Sequence, residues 1–188
     1  MSDVESEPAE GSLRDRLRAC QHGGLPGIPA NELLGYVRAV AQNLDALHAQ
    51  GLLYRDVKPD NILLVSDQAR LADAGMLPPP AAQSVSGSGT PAYMAPEVWR
   101  GKPSKASDQY SLAYTYAELR LGRRAFASTD YAGVMFDHLD NVPNLDPLPE
   151  AEKAVLLQAL DKKPEERYPT CLGFAQALER AVAGASSR

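Results

Sequence analysis

Cysteine is scarce in this 188-residue chain, and its scarcity excludes the small disulfide-rich folds. The two cysteines, Cys20 and Cys171, lie far apart and outside any C-x-x-C spacing. A disulfide scaffold or a zinc site is normally marked by more cysteines at closer spacing. The three histidines, at 22, 48 and 138, share no spacing either. The sequence therefore predicts free thiols, a structural role for His48 and no metal bound by the histidines.

Long apolar runs and basic blocks are also missing. The chain has no run of about 18 apolar residues, which is the length that a membrane-spanning helix needs. Residues 1–10 carry four acids and no base, unlike a signal peptide. The net charge of −5 argues against nucleic acid or an anionic membrane as the main partner. We therefore expect a cytoplasmic protein that binds neither.

Length and composition indicate one ordinary domain between two short tails. With 44% hydrophobic and 23% charged residues, the chain has an average composition and is long enough to bury a core. Residues 1–10 are predicted to be a disordered acidic tail. Residues 11–184 are predicted to form the domain, and residues 185–188 a second tail.

The spacing of apolar residues predicts that this domain is mainly helical. An apolar stripe with spacings of 4, 3, 4 and 3 residues runs through Leu33, Val37, Val40, Leu44 and Leu47. Asn31 is predicted to cap this helix, and Gly51 to end it. Helical patterns recur near 107–121, 129–139, 150–160 and 170–183.

Two short apolar runs predict a β-hairpin in the middle of the chain. Residues 62–65 and 69–72 are apolar and flank the turn-forming residues 66–68. The predicted fold class is therefore mainly α, with one small hairpin.

The segment Y-R-D-V-K-P-D-N at residues 54–61 carries the strongest functional signal. It resembles the protein kinase catalytic loop, H-R-D-x-x-x-x-N, with tyrosine at the histidine position. The resemblance implies that Asp56 accepts the proton of the substrate hydroxyl and that Asn61 binds a magnesium ion. Lys58 is typical of Ser/Thr kinases and is implied to contact the transferred phosphate. Arg55, next to the catalytic aspartate, is given a structural role.

A second motif follows twelve residues after Asn61. Residues 73–75, D-A-G, resemble the magnesium-binding turn D-F-G, with Ala74 in place of phenylalanine. Asp73 keeps the carboxylate, a hard oxygen ligand suited to Mg²⁺. The resemblance also places Asp73 among the residues of the nucleotide site. By the same resemblance, Leu63 lies on the floor of the adenine site.

A third motif, G-T-P-A-Y-M-A-P-E at residues 89–97, is similar to the end of a Ser/Thr kinase activation segment. The resemblance implies that Thr90 positions the substrate and that Glu97 forms a buried ion pair with Arg167. It also implies that Asp108 ties down the backbone of the catalytic loop. An aspartate in the first turn of a helix is also an ordinary helix start, and the two interpretations are compatible.

The resemblance covers residues 11 to about 183 and is confined to the C-terminal lobe of the kinase fold. No Gly-rich phosphate loop occurs, and Lys58 is the first lysine in the chain, so no phosphate-binding lysine precedes the catalytic loop. We therefore expect an incomplete ATP and Mg²⁺ site, with Leu63 facing solvent. Exposed apolar surface there predicts self-association or binding to a separate N-lobe.

Three interpretations remain open. The chain is either a Ser/Thr kinase domain fragment that phosphorylates proteins when another chain completes it, or a catalytically silent lobe that binds a substrate or a kinase. Intact Asp56, Lys58, Asn61 and Asp73 favour the first, whereas Ala74 and the missing phosphate-binding lysine favour the second. The third interpretation is a gene fragment or start-site error with no separate role.

Overall fold

The computed structural model describes residues 11–72 and 89–185. Its helices are α1 Leu13–His22, α2 Ala30–Ala49, α3 Pro96–Trp99, α4 Lys105–Leu121, α5 Tyr131–Asp140, α6 Glu150–Ala159 and α7 Cys171–Ala185. Its strands are β1 Gly11–Ser12, β2 Ile62–Val65 and β3 Gln68–Leu71, and short 3₁₀ turns occur at Pro59–Asn61, Pro91–Tyr93 and Pro164–Glu166. The predicted mainly helical fold with a small sheet is confirmed.

The sheet has three strands where the sequence predicted two. β2 and β3 form an antiparallel hairpin, and β1 pairs antiparallel with the other edge of β2. Ser66 and Asp67 both have positive φ angles, 50° and 60°, as a two-residue hairpin turn requires. β1 was missed because a strand of two residues is too short to show any alternation.

Helix α2 carries the predicted stripe, but it starts earlier than expected. Leu33, Val37, Val40 and Leu44 are buried in the core. The predicted cap, Asn31, lies within the helix, and Pro29 precedes its first turn. The fixed φ of proline suits this position, and the Pro29 carbonyl accepts a hydrogen bond from the Leu33 amide at 3.0 Å.

Helix α4 is the centre of the fold. Its tyrosines at 110, 114 and 116 are at most 1% exposed, and it contacts α2, α6 and α7. The helix ends at Gly122, whose φ of 72° is left-handed. A Cβ atom there would lie 1.6 Å from the Pro26 carbonyl oxygen, so only glycine fits.

Helices α5, α6 and α7 lie close to their predicted positions. α5, predicted at 129–139, is capped by Asp130, whose carboxylate accepts a hydrogen bond from the Gly133 amide at 2.9 Å. α6 and α7 begin within one residue of the predicted starts. Within residues 11–72 and 89–185, no helix has the length and apolar character needed to cross a membrane.

Candidate active site

Four side chains converge on the loop between α2 and β2. One carboxylate oxygen of Asp56 accepts hydrogen bonds from the Thr90 amide and hydroxyl, both at 2.9 Å. The other accepts from the Asn61 amide nitrogen at 2.7 Å and lies 2.8 Å from Lys58 Nζ. Lys58 Nζ also donates to the Thr90 hydroxyl at 2.6 Å. The predicted residues Asp56, Lys58, Asn61 and Thr90 therefore form one connected cluster.

The surroundings of Asp56 keep this carboxylate ionised. Burial raises its pKa, but hydrogen bonds from Lys58, Thr90 and Asn61 lower it more, so the pKa lies below its ordinary value. At neutral pH the group is an acceptor only, as a residue that receives a hydroxyl proton must be.

The backbone of this loop is anchored by Asp108 at the start of α4. Its carboxylate accepts from the Tyr54 amide at 2.9 Å and from the Arg55 amide at 2.7 Å. His48 Nε2 lies 2.8 Å from the same carboxylate. Arg55 has a φ of 69°, a left-handed conformation that is costly for a non-glycine residue and needs such support. The predicted tie between Asp108 and the loop is therefore present as geometry.

Tyr54, at the position of the family's histidine, also connects two parts of the site. Its hydroxyl donates to the Ala72 carbonyl at 3.0 Å, and the Ala72 amide donates to the Asn61 carbonyl at 2.9 Å. These bonds hold the residue immediately before Asp73 against the catalytic loop. Asp73 and Ala74 themselves lie outside the described residues, so their roles remain predictions.

The predicted ion pair between Glu97 and Arg167 is present and buried. The guanidinium makes two parallel hydrogen bonds to the carboxylate, at 2.8 and 2.9 Å. Their side chains are 8% and 0% exposed. Arg167 also donates to the carbonyls of Ala106 and Asp161, and Ser107 donates to Glu97 at 2.7 Å. The pair therefore joins α3, the start of α4 and the turn before α7.

A polar network beside the cluster was not predicted. Arg14 on α1 donates to Glu118 at 2.8 Å and to the Tyr93 hydroxyl at 2.7 Å, and its guanidinium lies 3.3 Å from Asp60. Burial lowers the pKa of Arg14, but the bond to Glu118 and nearby charges outweigh this and raise it. Together with Lys58, these groups line an open cavity of about 570 Å³. No local sequence signal could have found a network whose members lie on four different elements.

Leu63 lies where the sequence placed it, in the middle strand of the sheet. It pairs with Ser12 of β1 and Arg70 of β3. The sequence predicts that Leu63 faces solvent, and its side chain is half-buried in the structure. Its contact with adenine remains a prediction.

Proteins of similar sequence belong to one family. Residues 6–180 match the family model of the protein kinase domain. The chain is 35% identical to serine/threonine-protein kinase PknF of Mycobacterium tuberculosis, over 98% of this chain and 40% of that protein. It is also 35% identical to serine/threonine-protein kinase Pkn1 of Myxococcus xanthus, over 83% of this chain and 25% of that protein.

A solved structure gives the same result. The crystal structure of the Mycobacterium tuberculosis PknI kinase domain matches with a TM-score of 0.70 and 29% sequence identity. The match covers 93% of this chain and 63% of that chain. The chain thus spans less than half of the curated relatives described above and about two thirds of this kinase domain.

Proposed function

Because the chain belongs to the Ser/Thr protein kinase family, we propose that residues 11–184 form the C-terminal lobe of the kinase fold and supply its catalytic loop. The observation that carries this proposal is the cluster of Asp56, Lys58, Asn61 and Thr90 around one ionised carboxylate. The reaction is transfer of the ATP γ-phosphate to a Ser or Thr hydroxyl of a protein.

Each member of the cluster has a distinct role in this proposal. Asp56 orients the substrate hydroxyl and accepts its proton. Lys58, which lies within 2.8 Å of Asp56, places a positive charge where the phosphoryl group moves between donor and acceptor. Thr90 bonds both residues and so sets the distance between the segment that seats the substrate and the catalytic loop.

The donor set also fits magnesium. The Asn61 side chain turns its nitrogen toward Asp56 at 2.7 Å, which leaves its oxygen as the end suited to a hard cation. Asp73 would supply a carboxylate next to Ala72, whose backbone is bonded to Asn61 and Tyr54. When bound, Mg²⁺ neutralises phosphate charge.

Phosphate positioning is the weak point of the chain taken alone. Phosphoryl transfer depends on orientation and on a water-excluded electrostatic environment. The 57 residues before Lys58 contain no lysine and no G-x-G-x-x-G loop. We therefore propose that these 188 residues bind nucleotide weakly and transfer phosphate barely, unless an N-lobe with both elements is added.

The second candidate function is a catalytically silent lobe that binds a protein. The residue that favours it is Ala74, because a buried phenylalanine at this position contributes about 3 kcal/mol of contact that alanine loses. The partner would be a substrate or a complete kinase. Self-association through the face around Leu63 also remains a prediction.

A phosphate-transfer assay separates the two functions. Radiolabelled ATP and a generic Ser/Thr substrate are incubated with the chain alone and with the chain fused to an N-lobe that carries a Gly-rich loop and lysine. We expect almost no transfer by the chain alone and clear transfer by the fusion, abolished by Asp56→Asn. Asp67→Asn, the same substitution in the exposed β2–β3 turn, is the matched control and should retain transfer.

Two outcomes of this assay would change the conclusion. Robust transfer by the chain alone that disappears in Asp56→Asn would show that the missing clamp is unnecessary. A fusion that binds nucleotide but transfers nothing would favour the silent lobe.

A further inference from the structure

Three side chains of different chemistry meet where the end of α2 contacts the start of α7. Asp45 and His48 are one turn apart on α2, and Cys171 is the first residue of α7. A carboxylate oxygen, an imidazole nitrogen and the thiol sulfur all lie within 4.8 Å of one another. This cluster lies outside the active site, and spacing along the sequence hid it because Cys171 is 123 residues from His48.

The hydrogen bonds of His48 leave one ring nitrogen directed at this cluster. Asp108 already accepts from two backbone amides, so its carboxylate is the acceptor and His48 Nε2 is the donor. In the tautomer that carries its proton on Nε2, the lone pair lies on Nδ1. Nδ1 lies 3.8 Å from the Asp45 carboxylate, too far for a hydrogen bond. A carboxylate that orients a histidine in this way is typical of metal-binding histidines.

Asp45 is held in place by the start of α7. Its two oxygens accept hydrogen bonds from the Cys171 amide at 3.0 Å and the Leu172 amide at 2.9 Å. A carboxylate oxygen has a second lone pair, so these bonds orient Asp45 without using up its capacity. Cys171 is 1% exposed, and burial, together with the nearby Asp45 and Asp108 carboxylates, raises the pKa of its thiol. The thiol also hydrogen-bonds to Asp45, so a bound ion must displace this proton.

A cavity leads to the cluster. It has a volume of about 280 Å³, and its lining includes His48 and Cys171 of the cluster but not Asp45. Two cations, Lys105 and Arg167, also line it, and Arg167 is already paired with Glu97. The cavity is large enough to admit an ion and to supply a water molecule as a further ligand.

We propose that Asp45, His48 Nδ1 and Cys171 Sγ bind a Zn²⁺ ion, with water from the cavity as the fourth ligand. Carboxylate, imidazole and thiolate together are a ligand set that suits zinc. Bond lengths of about 2.0–2.3 Å place the three ligand atoms roughly 3.5 Å from one another. The His48 and Asp45 atoms are already 3.8 Å apart, and all three lie within 4.8 Å, so the required approach is small. Binding releases the thiol proton, and the two anionic ligands then balance the charge of the ion.

The position of this site gives it a consequence for the catalytic loop. His48 connects the proposed ion to Asp108, and Asp108 holds the Tyr54 and Arg55 amides. A bound ion would fix the ring of His48 and so reinforce the anchor of the loop. The proposed zinc ligands lie outside the cluster of Asp56, Lys58, Asn61 and Thr90, and the test of zinc binding does not depend on kinase activity.

Zinc binding is measured first by competition with a chromophoric chelator, using the whole chain and Zn²⁺ alone. We expect one equivalent bound by the wild type. Removing a residue that only orients a metal ligand typically weakens metal binding by about 10–100-fold. Cys171→Ala removes a direct ligand, so it should weaken zinc binding by more than about 100-fold. Asp45→Asn, which keeps an oxygen to accept from α7, should also weaken binding. Cys20→Ala, which removes the other buried cysteine, is the matched control and should bind like the wild type.

Cobalt substitution identifies the sulfur ligand directly. In Cys20→Ala the only remaining thiol is Cys171. A thiolate-to-cobalt charge-transfer band and tetrahedral d–d bands in this variant would support the site, even if Cys171→Ala failed to fold. Far-UV circular dichroism without metal checks the fold of each variant. The proposal is wrong if the wild type binds less than one equivalent, if Cys171→Ala binds equally well, or if cobalt gives no charge-transfer band.

Discussion

The buried ion pair between Glu97 and Arg167 should be one of the most sensitive points of the fold. Arg167 is fully buried and Glu97 is 8% exposed, so neither charge can turn to water when its partner is removed. Removing one partner of a buried pair typically costs about 3–5 kcal/mol of unfolding free energy. We expect Glu97→Gln and Arg167→Met each to destabilise the chain by this amount.

The double variant distinguishes the pair from the individual residues. With both charges removed, no isolated buried charge remains, so the double variant should be more stable than the sum of the single effects predicts by at least about 2 kcal/mol. Guanidinium unfolding is followed by circular dichroism and by fluorescence of Trp99, the only tryptophan and two residues from Glu97. The exposed pair Arg38–Glu179, with side chains 48% and 31% exposed, is the control. Glu179→Gln should cost less than about 1 kcal/mol.

Either of two results would contradict this prediction. If Glu97→Gln destabilises the chain no more than Glu179→Gln does, leaving the buried Arg167 charge without its partner is not costly. If the double-mutant cycle is additive within about 0.5 kcal/mol, the two residues act separately and the bidentate geometry contributes nothing of its own.

Two further predictions concern other buried positions. Burial lowers the pKa of His138 to about 4, whereas in the unfolded chain the pKa is about 6.5. The unfolded chain therefore takes up the proton first as the pH falls, and the free energy of unfolding should decline by about 3 kcal/mol between pH 7 and pH 4. His138→Gln should lack this part of the decline when stability is measured by urea unfolding at each pH. Equal profiles for the two proteins would contradict it. Gly122→Ala should lower the free energy of unfolding by more than about 3 kcal/mol, because the new Cβ meets the Pro26 carbonyl. Gly184→Ala, in the open part of α7, is the control and should be neutral or stabilising in thermal unfolding. Similar melting points for the two alanine variants would show that the contact relaxes easily.

The cluster around Asp56 could be predicted from the sequence because its members lie in short motifs. Asp56, Lys58 and Asn61 fall within six residues, and their contacts follow from one loop conformation. Thr90 is 34 residues from Asp56, and only the resemblance to a known family connected them. The pairing of Glu97 with Arg167, 70 residues apart, was available for the same reason.

Contacts made by unremarkable residues could not be predicted. Asp45 and Cys171 are 126 residues apart and belong to no motif, so only the packing of α2 on α7 brings them together. Arg14 meets Glu118 across 104 residues, although both read as ordinary charges on helices. The start of α2 was misplaced because an asparagine is a common cap, whereas the chain uses the conformation of Pro29.

Helix α4 positions the segments that form the site. Although α4 is buried on nearly all sides, polar residues recur along one face and bond the surrounding segments. Ser107 donates to Glu97, and Ser111 donates to the Tyr93 carbonyl at 2.7 Å. Between them, Asp108 holds the catalytic loop. A buried polar group is stable only when it is paired, so these residues select the positions of the segments around them.

Because of this arrangement, the conformation of the loop does not depend on whether the lobe catalyses phosphate transfer. α4 holds the backbone of the catalytic loop through Asp108, whether or not the loop carries out chemistry. A catalytically silent lobe would therefore keep the same loop conformation as an active one. The residues that decide between the two proposed functions lie outside residues 54–61: they are Ala74 and the elements that clamp the phosphates. An experiment that adds the clamp is thus more informative than one that perturbs the loop.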